Sequence, residues 1–219
     1  MPEGMTVIAI DGPAGAGKST VAKALAERLG LDYLDTGAMY RGVTFAALRA
    51  GIDPDDVDRV ARLALDLGLD IGVERVLVDG QDATLEIRGP EVNRAVSIVA
   101  ANPEVRSELR SRQVEWARKH GGGVIEGRDI GSVVFPDAEL KLFLTAATEV
   151  RAQRRHKEVV DLAYEEVVAS IAERDALDQG RKHAPLTETD DAIVIDTTGR
   201  TVDDIVAEIL KLLPSSFSH

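Results

Sequence analysis

The chain has 219 residues, 44% of them hydrophobic and 29% charged, with no cysteine and a formal charge of −12 at pH 7. That suffices for one sizeable core, while no apolar run reaches the roughly 18 residues that a membrane-spanning helix needs. The missing cysteines exclude a disulfide scaffold, a thiolate metal site and a cysteine nucleophile, and the acidic balance argues against bulk adhesion to nucleic acid or an anionic membrane. Met1–Met5 lacks the basic-then-apolar pattern of an export signal, so a cytoplasmic protein is expected. Nineteen of the 26 basic residues are arginine, and twelve of these fall between Arg88 and Arg181. The planar guanidinium fork suits phosphate and carboxylate, so such a cluster within an acidic chain hints at an anionic ligand.

The run Thr6–Ile10 is short, apolar and β-branched, as a buried parallel strand is. Directly after it stand Gly12-Pro13-Ala14-Gly15-Ala16-Gly17-Lys18-Ser19-Thr20, then Val21, Leu25 and Leu29 at helical spacing. G-x-x-x-x-G-K-[ST] between a strand and a helix is a phosphate-binding loop, or P-loop. Its small residues let backbone N–H groups surround a di- or triphosphate, and the helix N-terminus adds positive potential. Lys18 would bridge β- and γ-phosphate oxygens, and Ser19 would help hold Mg²⁺. Without a ligand, Lys18 is expected to sit solvated.

Asp32–Asp35 reads as the second strand, and Asp56–Leu67 as a helix. The pairs Ile71/Val73, Val76/Val78 and Leu85/Ile87 then alternate with polar residues around a turn at Asp79-Gly80, which predicts a small antiparallel sheet. A helix over Pro103–His120 carries Val105, Leu109, Arg112 and Trp116 on one stripe, with the Trp as core packing rather than a base platform. Gly123–Glu126, Leu140–Thr145 and Ala192–Asp196 complete five parallel strands, and Ile205, Ile209 and Leu212 mark the last helix. Strands alternating with helices give an α/β protein whose parallel sheet is covered on both faces. His120, His156, His183 and His219 have no metal-ligand spacing.

Three further blocks complete the picture: Leu34-Asp35-Thr36-Gly37-Ala38-Met39-Tyr40-Arg41, Glu126-Gly127-Arg128-Asp129-Ile130-Gly131, and Glu173-Arg174-Asp175 with Asp178, Arg181 and Ala184-Pro185-Leu186. In this order, with the P-loop, they resemble the bacterial cytidylate kinases over nearly the whole chain. The resemblance implies a three-layer P-loop NTPase fold with a five-stranded parallel sheet. It divides one domain into a core (5–54, 121–150 and 184–213), a monophosphate-binding lobe with the β-insertion (about 55–120) and a helical lid (about 151–183). The implied reaction takes ATP, with Mg²⁺, and CMP or dCMP to ADP and CDP or dCDP.

By the same resemblance Gly12–Thr20 with Arg151 and Arg155 would bind ATP. Arg41, Arg128 and Arg181 would hold the CMP phosphate with the Thr36 hydroxyl, and would share the catalytic work with Lys18. Arg174 and Asp178 resemble the pair that meets the ribose hydroxyls, although an ordinary i,i+4 ion pair explains them equally well. Ser97, Arg106 and Asp129 match the positions that read cytosine, and Tyr40 lies in the same site. Cytosine offers O2 and N3 acceptors and an N4 donor, so a selective pocket needs a donor and a carboxylate. Threonine stands at 36 where the family often has serine, and Leu177 and Gln179 stand where it commonly has arginines. Arg151, Arg154 and Arg155 share a face of the lid's first helix.

The reading is a monomeric nucleoside-monophosphate kinase with small-molecule substrates and no nucleic-acid or membrane partner. A P-loop kinase of shikimate, gluconate or dephospho-coenzyme A is the rival within the class. A nucleotide-dependent regulatory switch is the rival outside it, but a switch needs no pocket for an acceptor phosphate.

Overall fold

The computed structural model describes residues 5–158, 163–181 and 184–213. Residues 1–4, 159–162, 182–183 and 214–219, among them His183 and His219, lie outside the described residues. The chain begins β1 (Thr6–Asp11), α1 (Lys18–Leu29), β2 (Tyr33–Asp35), α2 (Thr36–Arg49) and α3 (Val57–Asp66). Next come β3 (Leu69–Ile71), β4 (Val76–Val78), β5 (Gln81–Asp82), α4 (Pro90–Ala101) and α5 (Pro103–His120). It closes with β6 (Gly122–Glu126), β7 (Leu140–Thr145), α6 (Thr148–Glu158), α7 (Tyr164–Gly180), β8 (Ile193–Asp196) and α8 (Val202–Leu212). None of these helices is long and apolar enough to cross a membrane.

Two compact units emerge, one built from the chain up to Tyr33 and from His120 onward, the other from Leu34–Lys119. The first contains β6, β1, β7 and β8 of a five-stranded sheet ordered β2-β6-β1-β7-β8, β2 itself running past the boundary at Leu34, and the expected strands are displaced by no more than a residue at either end. β1 is central. Ile8 lies opposite Val124 on one side and Leu140 on the other, both pairings parallel. Its Val-Ile-Ala-Ile run is fully buried because helices cover the sheet's faces. Ile8, Ile10, Leu142 and Leu144 join Val21 and Leu25 of α1 and Ile205 and Ile209 of α8 in one core. α1 ends where Gly30 turns left-handed at φ 63°, with the Leu31 N–H returning to Ala26 O at 2.9 Å. α6 and α7 pair through Ala152, Val167 and Ile171.

The second unit begins at Leu34, earlier than the residue 55 expected of the insertion. The reason is packing: α2 lies on α3, α4 and the β3-β4 hairpin, and Gly42 admits Leu69 so closely that a Cβ would stand 2.6 Å from Leu69 Cδ2. The antiparallel sheet runs β3-β4-β5. Its third strand is Gln81–Asp82, directly after the left-handed pair Asp79-Gly80, and not the Leu85/Ile87 stretch. Asp82 ends the strand by accepting from the Thr84 N–H and hydroxyl. Residues 86–88 then form a single 3₁₀ turn that buries Ile87 and leaves Leu85 81% exposed. Val73 also falls outside the ladder, in the turn that Gly72 N–H closes onto Arg75 O at 2.9 Å.

α5 occupies its expected span, but its buried stripe is Val105, Leu109, Gln113 and Ala117. Arg112 and Trp116 are only half-buried. Strict four-residue spacing drifts away from the expected stripe by one position, and Arg112 takes another task. Its guanidinium donates to Leu67 O, Ala64 O and Leu65 O at 2.6–3.0 Å, closing the C-terminus of α3.

Candidate active site

The P-loop lies between β1 and α1 at the carboxyl end of the central strand. Gly12 has φ +143°, and a Cβ there would stand 2.0 Å from Leu144 O, so the loop can leave the sheet only through glycine. Gly17 precedes α1 in a left-handed conformation without any side-chain cap, which leaves the first-turn N–H groups to an anion. Lys18 is not solvated as expected. It is buried, and its Nζ donates to Pro13 O at 3.0 Å. Burial, reinforced by the Arg128 charge, brings its pKa down to about 7, with Glu126 and Asp11 pulling the other way. The Ser19 hydroxyl is half-buried and makes no hydrogen bond among the described residues. A lone hydroxyl on a phosphate loop suits Mg²⁺, which keeps most of its ligands as water and phosphate oxygen.

A group of arginines surrounds a single carboxylate in the same unit. Arg128 follows β6, which Gly127 anchors by donating to Ile10 O at 3.0 Å. Its Nε donates to Asp178 Oδ2 at 2.7 Å and an Nη donates to Gly12 O at 2.6 Å. Arg181 takes the other Asp178 oxygen. Asp178, 1% exposed, is thus shared by Arg128 and Arg181, and not paired with Arg174 as the helical spacing suggested. Burial pushes its pKa up, but Arg128, Arg181 and Arg174 together hold it below the ordinary value. Arg174 keeps a buried Nε with no hydrogen-bond partner among the described residues. Its pKa falls to about 10, first through burial and then through the Arg128 charge, with Arg155 and Arg181 adding to the effect. Arg128, Arg181 and Arg174 thus gather on one carboxylate, and Arg155 adds its charge at Arg174, a concentration of guanidinium groups whose chemistry suits an anion.

The arginines of α6 divide their tasks. Arg151, expected to bind ATP, is buried and spends its guanidinium on Ala14 O, Ala146 O, Thr148 and Asp175. It braces the P-loop through the Ala14 carbonyl, 3.2 Å away. Arg154 grips Thr197 through the hydroxyl and the carbonyl, both at 2.8 Å, and Thr197 in turn donates to Ala16 O at 3.0 Å. Arg155 is the α6 residue whose charge reaches the Arg174 cluster.

In the second unit Thr36 opens α2, whose N-cap Asp35 accepts from Ala38 N–H at 2.9 Å. Arg41, one turn further, is buried and donates to Ile87 O at 3.1 Å and Asn93 Oδ1 at 2.6 Å. Tyr40 lies with its ring 5.6 Å from the Arg106 guanidinium, which also donates to Ala100 O at 3.1 Å. Ser97 is buried on α4. The unit therefore brings Tyr40 and Arg106 together and fixes Arg41, the residue after Tyr40, while Asp129, Arg128, Arg174, Asp178 and Arg181 belong to the other unit.

Sequence reasoning missed three supporting residues, Asp11, Asn93 and Thr197, and quoted Asp175 only within a motif, without its role of holding Arg151. Asp11 alone carried a signal, being an acidic residue at the end of an otherwise apolar buried strand. The others act across long sequence separations that no local pattern records.

The cytidylate kinase family model matches residues 8–215. A cytidylate kinase of Caldanaerobacter subterraneus subsp. tengcongensis is 48% identical over 210 residues, covering 94% of this chain and 93% of that one. Another, from Corynebacterium efficiens, is 46% identical over 224 residues, covering 99% of this chain and 97% of that one. A solved structure of an uncharacterized protein from Eubacterium ventriosum superposes with a TM-score of 0.50 at 15% identity, over 94% of this chain and 97% of that one, a likeness of fold alone. With nearly its whole length matched at such identity, the chain belongs to the cytidylate kinase family.

Proposed function

We propose that this protein transfers the γ-phosphoryl group of ATP to CMP and dCMP by direct in-line displacement, giving ADP with CDP or dCDP. The observation that carries the reading is one connected set of bonds. Arg128 reaches the P-loop through Gly12 O and Arg181 through Asp178, so donor loop and two of the clustered arginines form one framework. A molecule that used ATP only as a switch would have no use for the second anion receptor.

The acceptor phosphate of CMP is ionised at neutral pH and attacks without a general base. One of its oxygens bonds to the γ-phosphorus as the bond to the β-phosphate bridging oxygen breaks, and ADP leaves with the electron pair. Catalysis is then positioning and charge. Lys18 follows the transferred group, and Ser19 would hold the Mg²⁺ that accompanies ATP and neutralises its phosphate oxygens. Arg41, Arg128 and Arg181 fix the acceptor phosphate with Thr36. Their partners support this role: Asn93 and Asp178 set the guanidinium planes beforehand, so little is lost in ordering them.

Ser97, Arg106 and Asp129 read the cytosine edge, and Tyr40 steadies the Arg106 guanidinium by lying under it. Arg174 and Asp178 face the ribose. A carboxylate oxygen already bonded to one arginine retains a lone pair, so Asp178 can hold its arginines and accept from a sugar hydroxyl. Arg151 and Arg155 are the α6 arginines assigned to ATP, Arg151 acting from its place against the P-loop carbonyl of Ala14. We place the reaction in the cytoplasm and treat one chain as the working unit.

An acceptor panel tests the function. With ATP supplied, CMP and dCMP are expected to drive ADP release, while shikimate, gluconate and dephospho-coenzyme A leave it at the level without acceptor. Activity confined to one of the latter three would replace the reading with that of a small-metabolite kinase.

A further inference from the structure

Asp11 is the last residue of β1 and is 6% exposed. Its Oδ1 accepts from the Ile130 N–H at 2.9 Å and its Oδ2 from the Gly131 N–H at 2.8 Å. Those two amides open a wide turn, Ile130–Val134, in which the Val133 N–H returns to Asp129 O at 2.9 Å and the Phe135 N–H to Ile130 O at 2.7 Å. Amides at the start of such a turn have no partner within it, and in a buried place they need an acceptor from elsewhere. Asp11 supplies both. The next residue, Gly12, accepts from the Arg128 guanidinium through its carbonyl oxygen. A dipeptide at the entrance of the P-loop therefore grips residues 128–131 at both ends. Asp129 lies between the two grips, outside regular structure, at φ −145° and ψ 25°.

The carboxylate is an expensive choice for a purely structural anchor. Burial raises its pKa to about 6, against the lowering effect of the two amides, and Asp129 and Lys18 are the charged groups it feels. Gly131 lets the turn approach the buried stem of Lys141 closely, since a Cβ there would stand 3.2 Å from it. The turn is thus clamped by Asp11 on one side and packed against Lys141 on the other.

We propose that Asp11 is a positioning residue for acceptor recognition, fixing Arg128 and Asp129 against the P-loop and so governing base choice without touching the nucleotide. This rests on the reading above in which Asp129 meets the cytosine edge and Arg128 the acceptor phosphate. Asparagine at position 11 keeps the size but sets an NH₂ group against one amide, so residues 128–131 lose one of two anchors.

The test is kinetic. Asp11→Asn is expected to raise KM for CMP and to shrink the CMP-to-UMP ratio of kcat/KM by about tenfold, the worth of one well-made hydrogen bond. Calorimetric affinity for a non-hydrolysable ATP analogue should stay near that of the unmutated protein. In an Asp129→Ala background the same change should shift the ratio little, because the residue it acts through is gone. Asp11→Ser, which removes the buried charge and keeps one acceptor, serves as the second variant. A lowered melting temperature with an unchanged ratio and KM would overturn the proposal, and so would failure of both variants to fold. Equal use of CMP and UMP by the unmutated protein would instead strike the reading of Asp129 itself.

Discussion

Replacing Lys18 by alanine is expected to lower kcat by about 100-fold or more, because on the proposed mechanism it removes a charge that travels with the phosphoryl group into the transition state. The structure adds a condition. Lys18 is buried against Pro13 O, so alanine also leaves a small void and a carbonyl without that donor. Lys18→Met separates the two effects by keeping most of the stem volume. Both variants should lose turnover alike, while the urea midpoint of Lys18→Met should lie closer to that of the unmutated protein. Since burial already penalises the ammonium, losing its charge should not itself weaken the fold. Near-normal turnover in either variant would mean that Gly12–Thr20 is not the ATP site.

The second large effect concerns the base. Asp129 is a carboxylate acceptor and Arg106 a donor, assigned to the N4 donor and N3 acceptor of cytosine. Uracil would turn a carbonyl oxygen toward Asp129 and an N–H toward Arg106. An unmatched buried polar group costs about 1–3 kcal/mol, and two of them bring the discrimination to roughly 100-fold or more in kcat/KM. Asp129→Ala should narrow the gap mainly by impairing CMP, with UMP little changed. Comparable kcat/KM for CMP and UMP would remove the cytosine assignment while leaving phosphoryl transfer intact.

The sheet was legible because buried parallel strands are short apolar runs, and Thr6–Ile10 and Leu140–Thr145 are too short and too predominantly apolar for a surface helix. The P-loop was legible for a different reason: its chemistry requires fixed residue types at fixed spacing. Where side-chain partners decided the outcome, the pattern misled. Leu85 and Ile87 alternate like a strand, yet the Asp82–Thr84 bonds stop the ladder first. Trp116 lies one position off the stripe that four-residue spacing buries. Arg174 and Asp178 have perfect helical spacing, but Arg128, fifty residues away, holds the carboxylate instead. Lys18 looks solvated in any linear reading, and Asp11 looks like a strand end. Their burial is a property of the folded unit, where residues 126–131 return beside β1.

The most direct measurement follows the phosphoryl group itself. With ATP labelled in its γ-phosphate and the purified protein in catalytic amount, the label should pass to the β-phosphate of CDP only when CMP is present, and little should be released as inorganic phosphate. Label appearing as inorganic phosphate at a rate indifferent to CMP, with none in CDP, would contradict the account.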